Sequence, residues 1–186
     1  MDFLKKRPVA ILLAIVIVLG STLLSVNVKL GKKCAAVTNG FYSGVTYDGY
    51  KHPAVSAQLE NISAAALGMA SLGSSYTGVD VKAVQTAQED LNSSMQNGSV
   101  SQIYDRYAAL ITETNKLAAA MKAQKLSDLD ATGLSEYEST ISAAQGVIEK
   151  SGYNETVRDF LSGTYNVFPA NMFAGICGVK APQLFE

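Results

Sequence analysis

Apolar residues follow two different patterns along this chain. Over residues 8–28 they are continuous, PVAILLAIVIVLGSTLLSVNV, with no charged side chain in the run. At 1.5 Å rise per residue a helix of this length spans roughly 30 Å, the hydrocarbon thickness of a bilayer, which predicts a transmembrane helix. A cleaved signal peptide has a shorter apolar core and a small-residue site after it. Here no A-x-A follows, and Gly31, Lys32 and Lys33 before Cys34 do not form a lipoprotein box, so a retained anchor is expected.

Beyond residue 28 the apolar positions recur every three or four residues, the helical period. Leu30, Cys34, Val37, Phe41 and Val45 extend the first helix, beside a small-residue stripe of Ala36, Gly40 and Gly44 that would let another helix approach. The anchor is thus expected to run on into the domain until Gly49, with Pro53 in the first turn of the next helix. A second helix over 54–72 carries Val55, Leu59, Ile62, Ala66 and Ala70, and Gly73-Ser74-Ser75 breaks it. Thr77 and Asp80 then have the spacing of a cap, leading to Val81, Val84, Gln88, Leu91 and Met95. After Asn97-Gly98-Ser99, a capping box of Ser99 and Gln102 opens a helix with Ile103, Tyr107, Leu110, Ile111, Leu117 and Met121 on one face. A polar connector, 127–133, leads to a last long helix capped by Ser135 and Glu138, with Leu134, Tyr137, Ile141, Ala144 and Ile148 as its stripe. Pro169 disfavours helical geometry at Phe168, so this helix should stop near there. Met172, Phe173 and Ile176 then suit a short amphipathic turn plugging the bundle. No alternating strand pattern appears. The expected fold is all-α: a short basic tail (1–7), a transmembrane helix (8–28), and an antiparallel bundle of about four long helices (29–186).

Composition adds limits. Trp is absent and only four prolines occur in 186 residues, which suits packed helices. Setting aside Lys5, Lys6 and Arg7 leaves 12 of the 15 Lys and Arg, while all but Asp2 of the 16 acids lie beyond the run. That mild acidity excludes nucleic acid as an expected partner, because phosphate binding needs a basic face. Lys29, Lys32 and Lys33 nearly balance the tail's charges, so the positive-inside rule leans only slightly to a cytoplasmic N-terminus and a domain outside.

Reactive constellations are not evident. His52, the one histidine, sits beside Pro53 at a helix junction and reads as a solvent-facing turn residue rather than a base. There is no Glu-x-x-His for a di-iron bundle and no G-x-S-x-G elbow beside a base. Two cysteines and one histidine are too few for a zinc site. The acidic pairs Glu89-Asp90 and Glu136/Glu138 fit exposed positions and helix starts. No catalytic, cofactor-binding or metal-binding residue is expected, and no cofactor. Tyr42, Tyr47 and Tyr50, with Phe41, read first as residues of a seam between helices and second as a contact surface.

The C-terminal block is the most distinctive: Tyr153-Asn154-Glu155-Thr156-Val157, then Tyr165-Asn166, Phe168-Pro169-Ala170-Asn171, Gly178, and Phe185-Glu186. In this order these residues resemble the signature of the LemA family of bacterial membrane proteins, which joins a membrane helix to a helical bundle. The resemblance covers residues 134–186 and the layout of anchor plus helices. Phe160 stands where the family usually repeats Tyr, and DGYKHPAVSAQL (48–59) only distantly echoes the family's basic Asp-Leu-Ile-Pro-Asn-Leu-Val-like stretch. The resemblance implies a divergent member, with Tyr153, Asn154, Val157, Tyr165, Asn166, Phe168, Pro169, Asn171, Gly178 and Phe185 as structural motif residues. It implies no catalytic mechanism.

Cys34 and Cys177 are a candidate thiol pair. If residues 79–123 form one helix through 97–99, the up-and-down path returns Cys177 to the Cys34 end, where an oxidising compartment would join them. A hairpin at 97–99 would turn the C-terminus away, and a plain buried thiol at Cys34 is the alternative. The functional expectation is a non-enzymatic interaction or scaffolding module, held in the lipid bilayer through residues 8–28 and binding an unknown protein partner. The alternative is a sensory or ligand-binding ectodomain whose tyrosines line a cavity.

Overall fold

A computed structural model describes residues 7–186, the side chains of residues 7–10 and Leu19 excepted. Lys5, Lys6 and most of the expected basic tail lie outside the described residues. The fold is all-α, opening with a long apolar helix, α1 (Arg7–Ser43). The stretch Ile11–Ser43 is long and apolar enough to cross a membrane, and no described residue of its most apolar window is buried. The hydroxyls inside the run are satisfied locally: Ser21 Oγ and Thr22 Oγ1 both donate to the Val18 carbonyl, at 2.9 and 2.8 Å.

The first helix ends earlier than its apolar stripe suggests. Gly44 has φ +80, and a Cβ there would collide with the His52 carbonyl oxygen, so the chain leaves the helix at a residue only glycine suits. The chain then forms a small antiparallel hairpin, β1 (Thr46–Tyr47) and β2 (Tyr50–Lys51), with Tyr47 opposite Tyr50. Asp48 and Gly49 both take positive φ, 49° and 79°, as a tight hairpin turn with strand-matching twist requires. Val45 is buried, but outside the helix rather than in its stripe. Ala36 is exposed, and the space above Gly40 is filled by the nearby Val45 side chain. The stripe of Ala36, Gly40 and Gly44 therefore does not serve as a helix-packing face.

Four longer helices come after the hairpin: α2 (Val55–Gly73), α3 (Lys82–Asn97), α4 (Val100–Lys122) and α5 (Asp128–Glu149). Helix α2 is central and packs on the other three. Its buried face, Val55, Leu59, Ile62, Ala66, Met69 and Ala70, meets Val84 and Leu91 of α3, Ile103, Leu110 and Met121 of α4, and Leu134 and Ile141 of α5 within one shared core. Gly68 lets the Tyr137 ring of α5 lie directly on α2: a Cβ at position 68 would stand 2.6 Å from it. The buried Ser63 hydroxyl donates to Asn92 Oδ1 and accepts from Gln88 Nε2, both at 3.0 Å, satisfying a polar group inside the α2–α3 seam.

Several boundaries differ from expectation, each for a local reason. Residues 97–99 turn the chain as a hairpin between α3 and α4, not as an interruption of one helix. The Ser99–Gln102 capping box forms in both directions. Thr77 caps nothing; Asp80 Oδ1 instead accepts from the Lys82 N–H at 3.0 Å. The stretch 127–133 is the start of α5 rather than a connector. Ser127 Oγ accepts from the Asp130 N–H, and Asp128 and Asp130 place negative charge in the first turn, so Ser135 and Glu138 lie inside the helix. Helix α5 stops at Glu149, well before Phe168. The chain resumes as α6 (Tyr153–Phe160), a π-helical turn (Leu161–Tyr165) and α7 (Ala170–Cys177).

The described residues fall into two compact units. One holds the chain up to Thr38 together with Val157–Pro182. The other holds Asn39–Thr156 and the last four residues, Gln183–Glu186. In the first, α7 packs on α1 through Leu30, Cys34 and Ala174, joined by Val26, Phe160, Tyr165, Ala170 and Val179. Met172 and Ile176 are exposed, so α7 is not the plug expected for the bundle.

Candidate functional site

The unit containing the four-helix core has one aromatic centre. Phe41, at the end of α1, is fully buried, with its ring 5.5 Å from both Tyr153 and Phe185 and 5.0 Å from Tyr42. From α4, Tyr104 and Tyr107 approach the Phe185 ring at 5.2 and 5.5 Å. Edge and tilted geometries of this kind stabilise aromatic pairs beyond the area that they bury.

The main chain of the last residues is held as firmly as the ring. Asn154 Nδ2 donates to the Phe185 carbonyl at 3.0 Å, and Asn154 Oδ1 accepts from the Phe185 N–H at 2.8 Å. One side-chain amide thereby pairs with both backbone groups of one residue. The Tyr153 hydroxyl donates to the Gln183 carbonyl at 2.9 Å, and Gln183 Oε1 accepts from the Ser101 N–H at 3.3 Å. Tyr153, Asn154 and Phe185 therefore form a clamp.

Beside this clamp lies a cleft of about 230 Å³, lined among others by Tyr104, Tyr107, Gln145, Glu149, Tyr153 and Phe185. Gln145 Nε2 donates to the Tyr107 hydroxyl at 3.1 Å. Burial raises the Tyr107 phenol above its ordinary value, the Gln145 bond opposes this, and the nearby Tyr104 and Glu149 add to the rise. Burial, with a smaller effect of Tyr42, pushes the Tyr153 phenol up to about 12. Both stay protonated at neutral pH and act as hydrogen-bonding walls. A separate polar cluster joins Tyr76, Ser127 and Asp130: the Tyr76 and Ser127 hydroxyls both donate to Asp130 Oδ2, holding that carboxyl below its usual range.

The other motif residues belong to the unit containing α1. Val157 is fully buried. The Tyr165 hydroxyl donates to the Val179 carbonyl at 2.6 Å, and the Asn166 N–H closes the π-helical turn on Leu161 at 2.8 Å. Phe168 is exposed and precedes Pro169 through a cis peptide bond. Asn171 Oδ1 accepts from the Met172 N–H at 2.7 Å, and Gly178 ends α7 with φ 65°.

Cys34 and Cys177 are both free. Cys34 is buried among Leu30 and Ala174, whereas the Cys177 thiol faces the Leu23 carbonyl oxygen at 3.8 Å. Residues 23 and 34 are about 16 Å apart along a helix, so the candidate pair is not formed. Of the early aromatic residues, Phe41 and Tyr42 join the aromatic centre. Tyr47 and Tyr50 lie opposite each other on the hairpin: Tyr47 packs on Gly152, next to Tyr153, and Tyr50 is exposed. Among the described residues no group of three His, Cys, Asp or Glu side chains is placed to hold a metal ion. His52 is half-buried in the turn after β2, its N–H donating to the Val45 carbonyl at 2.8 Å.

The Asn154–Phe185 pairing had no sequence signal beyond the motif itself, because its partners lie 31 residues apart. No family model, no curated protein and no solved structure matches this chain.

Proposed function

We propose that the protein is a membrane-anchored, non-enzymatic helical module of the LemA kind, which scaffolds or binds a partner protein at a bacterial membrane. The observation that carries this reading is α1: Ile11 to Val18, Leu24 and Val28 are all exposed, in a helix long and apolar enough to cross a bilayer. An apolar surface of that length is costly in water and favourable in lipid. The helical domain supports a binding role rather than chemistry. Its buried phenols are held protonated, and acids on its surface are engaged in ion pairs, Asp90 with Arg106 at 3.2 Å and Glu138 with Lys122 at 2.6 Å. Lys5, Lys6 and Arg7 are matched by Lys29, Lys32 and Lys33, and the lack of long basic stretches beyond Lys33 favours the extracytoplasmic side for the domain.

The test is alkaline extraction of membranes, followed by thiol labelling in intact cells. Single cysteines at exposed sites such as Ser93 and Leu129 are introduced into a background lacking Cys34 and Cys177. The chain should stay with the membrane pellet and label from outside with an impermeant reagent. Release into the alkaline supernatant overturns the anchor, and labelling only after lysis overturns the sidedness.

A second reading, a ligand-binding ectodomain, is favoured by the tyrosine-lined cleft of about 230 Å³. A small molecule that raises the thermal midpoint, and loses that effect in Tyr107→Ala, would favour this reading over scaffolding.

A further inference from the structure

We propose that α7 is seated in the membrane surface beside the anchor, its Met172 and Ile176 face and the Phe168 ring just before it covered by lipid. This rests on the reading of α1 as a membrane anchor and adds a second lipid contact to it.

Three observations within the unit containing α1 converge. Helix α7 descends along α1: Ala174 packs with Leu30 and Cys34, Val26 joins the same cluster, and the Cys177 thiol reaches the Leu23 carbonyl at 3.8 Å. Leu23 and Val26 lie inside the uncharged run 8–28, so the C-terminal end of α7 is level with the apolar part of the anchor. Ala174 is buried against Leu30 and Cys34 of α1, and Ala170 packs against the same cluster. The outward side is apolar: Met172 and Ile176, at i, i+4 spacing in the helix, are 46% and 64% exposed, and Phe168, in the turn before it, is 74% exposed. The helix itself, ANMFAGIC, carries no charge. Finally, Lys29, Lys32 and Lys33 are exposed on α1, where it leaves the apolar run. Lysines there extend their ammonium groups to lipid headgroups while their stems cover apolar surface. The exposed apolar side chains therefore pass from headgroup level at Phe168, before the helix, to acyl chains at Ile176, near its end. A bilayer, unlike a soluble partner, is already present at that level of α1. The occupant is thus lipid, bound by apolar burial rather than by a specific headgroup.

The chain has no tryptophan, so each introduced one is a sole reporter. Full-length Ile17→Trp, Phe168→Trp and Ile176→Trp are reconstituted into phosphatidylcholine vesicles with or without bromine on the acyl chains. The Ile17→Trp variant reports the anchor. Ile176→Trp should lose about half its emission in brominated vesicles or more, and Phe168→Trp clearly less, following the descent of α7 into the apolar layer. Quenching at Ile17 but none at Ile176 overturns the proposal, and so does equal depth at 168 and 176. A reporter shielded by a second copy or a protein partner gives that same failure. No quenching at Ile17 overturns the anchor reading itself.

Discussion

The two units use apolar side chains in opposite ways. In the unit built on α2–α5, Leu59, Ile62, Met69, Leu91, Ile103 and Leu110 are fully buried. In the unit built on α1 and α7, Ile11 to Val18, Phe168 and Ile176 are exposed, and Leu30, Cys34 and Ala174 form a small core. The first covers its apolar stripes with its own helices, and the second leaves a long apolar run uncovered. Along the anchor the apolar residues are continuous, but Met172 and Ile176 of α7 have the same i, i+4 spacing as the stripes of α2–α5. For α7 it is therefore which neighbours cover a stripe, and not the stripe, that decides its role.

The comparison breaks most visibly by truncation of equivalent residues. Ile62→Ala should cost about 2–5 kcal/mol, through lost transfer energy and the cavity left behind. Ile15→Ala, on the exposed run, should leave the domain's thermal midpoint unchanged in detergent, as followed by circular dichroism. Similar losses from both would mean that the anchor run is part of a protein core.

A smaller effect is expected at the clamp, which closes the unit of α2–α5. Asn154→Ala removes both amide bonds to Phe185 and should cost roughly 1–3 kcal/mol. Its particular signature is faster amide hydrogen exchange at Phe185, with little change at Leu91 or Ile103. Unaltered exchange at Phe185 would show that ring packing alone holds the segment.

The smallest effect is a pH dependence confined to the same centre. The Tyr153 phenol is raised from 10.0 to about 12, so the folded state favours the protonated form. Its contribution is fully present below pH 10 and is lost as pH rises through about 12, because the unfolded chain releases this proton first. Tyr153→Phe should flatten that part of the thermal midpoint's pH profile. An equally steep decline in the variant would assign it to other groups.

What could be read from the sequence depended on how local the cause was. The Ser99–Gln102 box and the period of α2 were legible because each involves residues within a turn or two. Asp48-Gly49 was an equally local hairpin signal, but the continuing stripe of Phe41 and Val45 concealed it. Ser127 with Asp130 and Ser135 with Glu138 both have capping spacing, and only packing separates them, so the sequence alone does not tell which opens α5. The position of α7 was beyond reach: Met172 and Ile176 would serve equally to plug a bundle or to face lipid. At the candidate site, Tyr153, Asn154 and Phe185 were singled out by resemblance alone. That they touch one another comes from the return of the chain, and Tyr104 and Tyr107 of the same centre were not singled out as site residues.

That return has a topological meaning. Residues 157–182 leave the unit of α2–α5, and Gln183–Glu186 come back to it, so the pairing of Asn154 with Phe185 ties off a loop. Closing 31 residues costs about 3 kcal/mol of chain entropy beyond a constant, by the logarithmic loop law. Two amide bonds, a phenol bond and a buried ring offset it. In a chain with both thiols free, this is a non-covalent staple. Unlike a disulfide it needs no oxidant, and it can open and reclose with the chain intact.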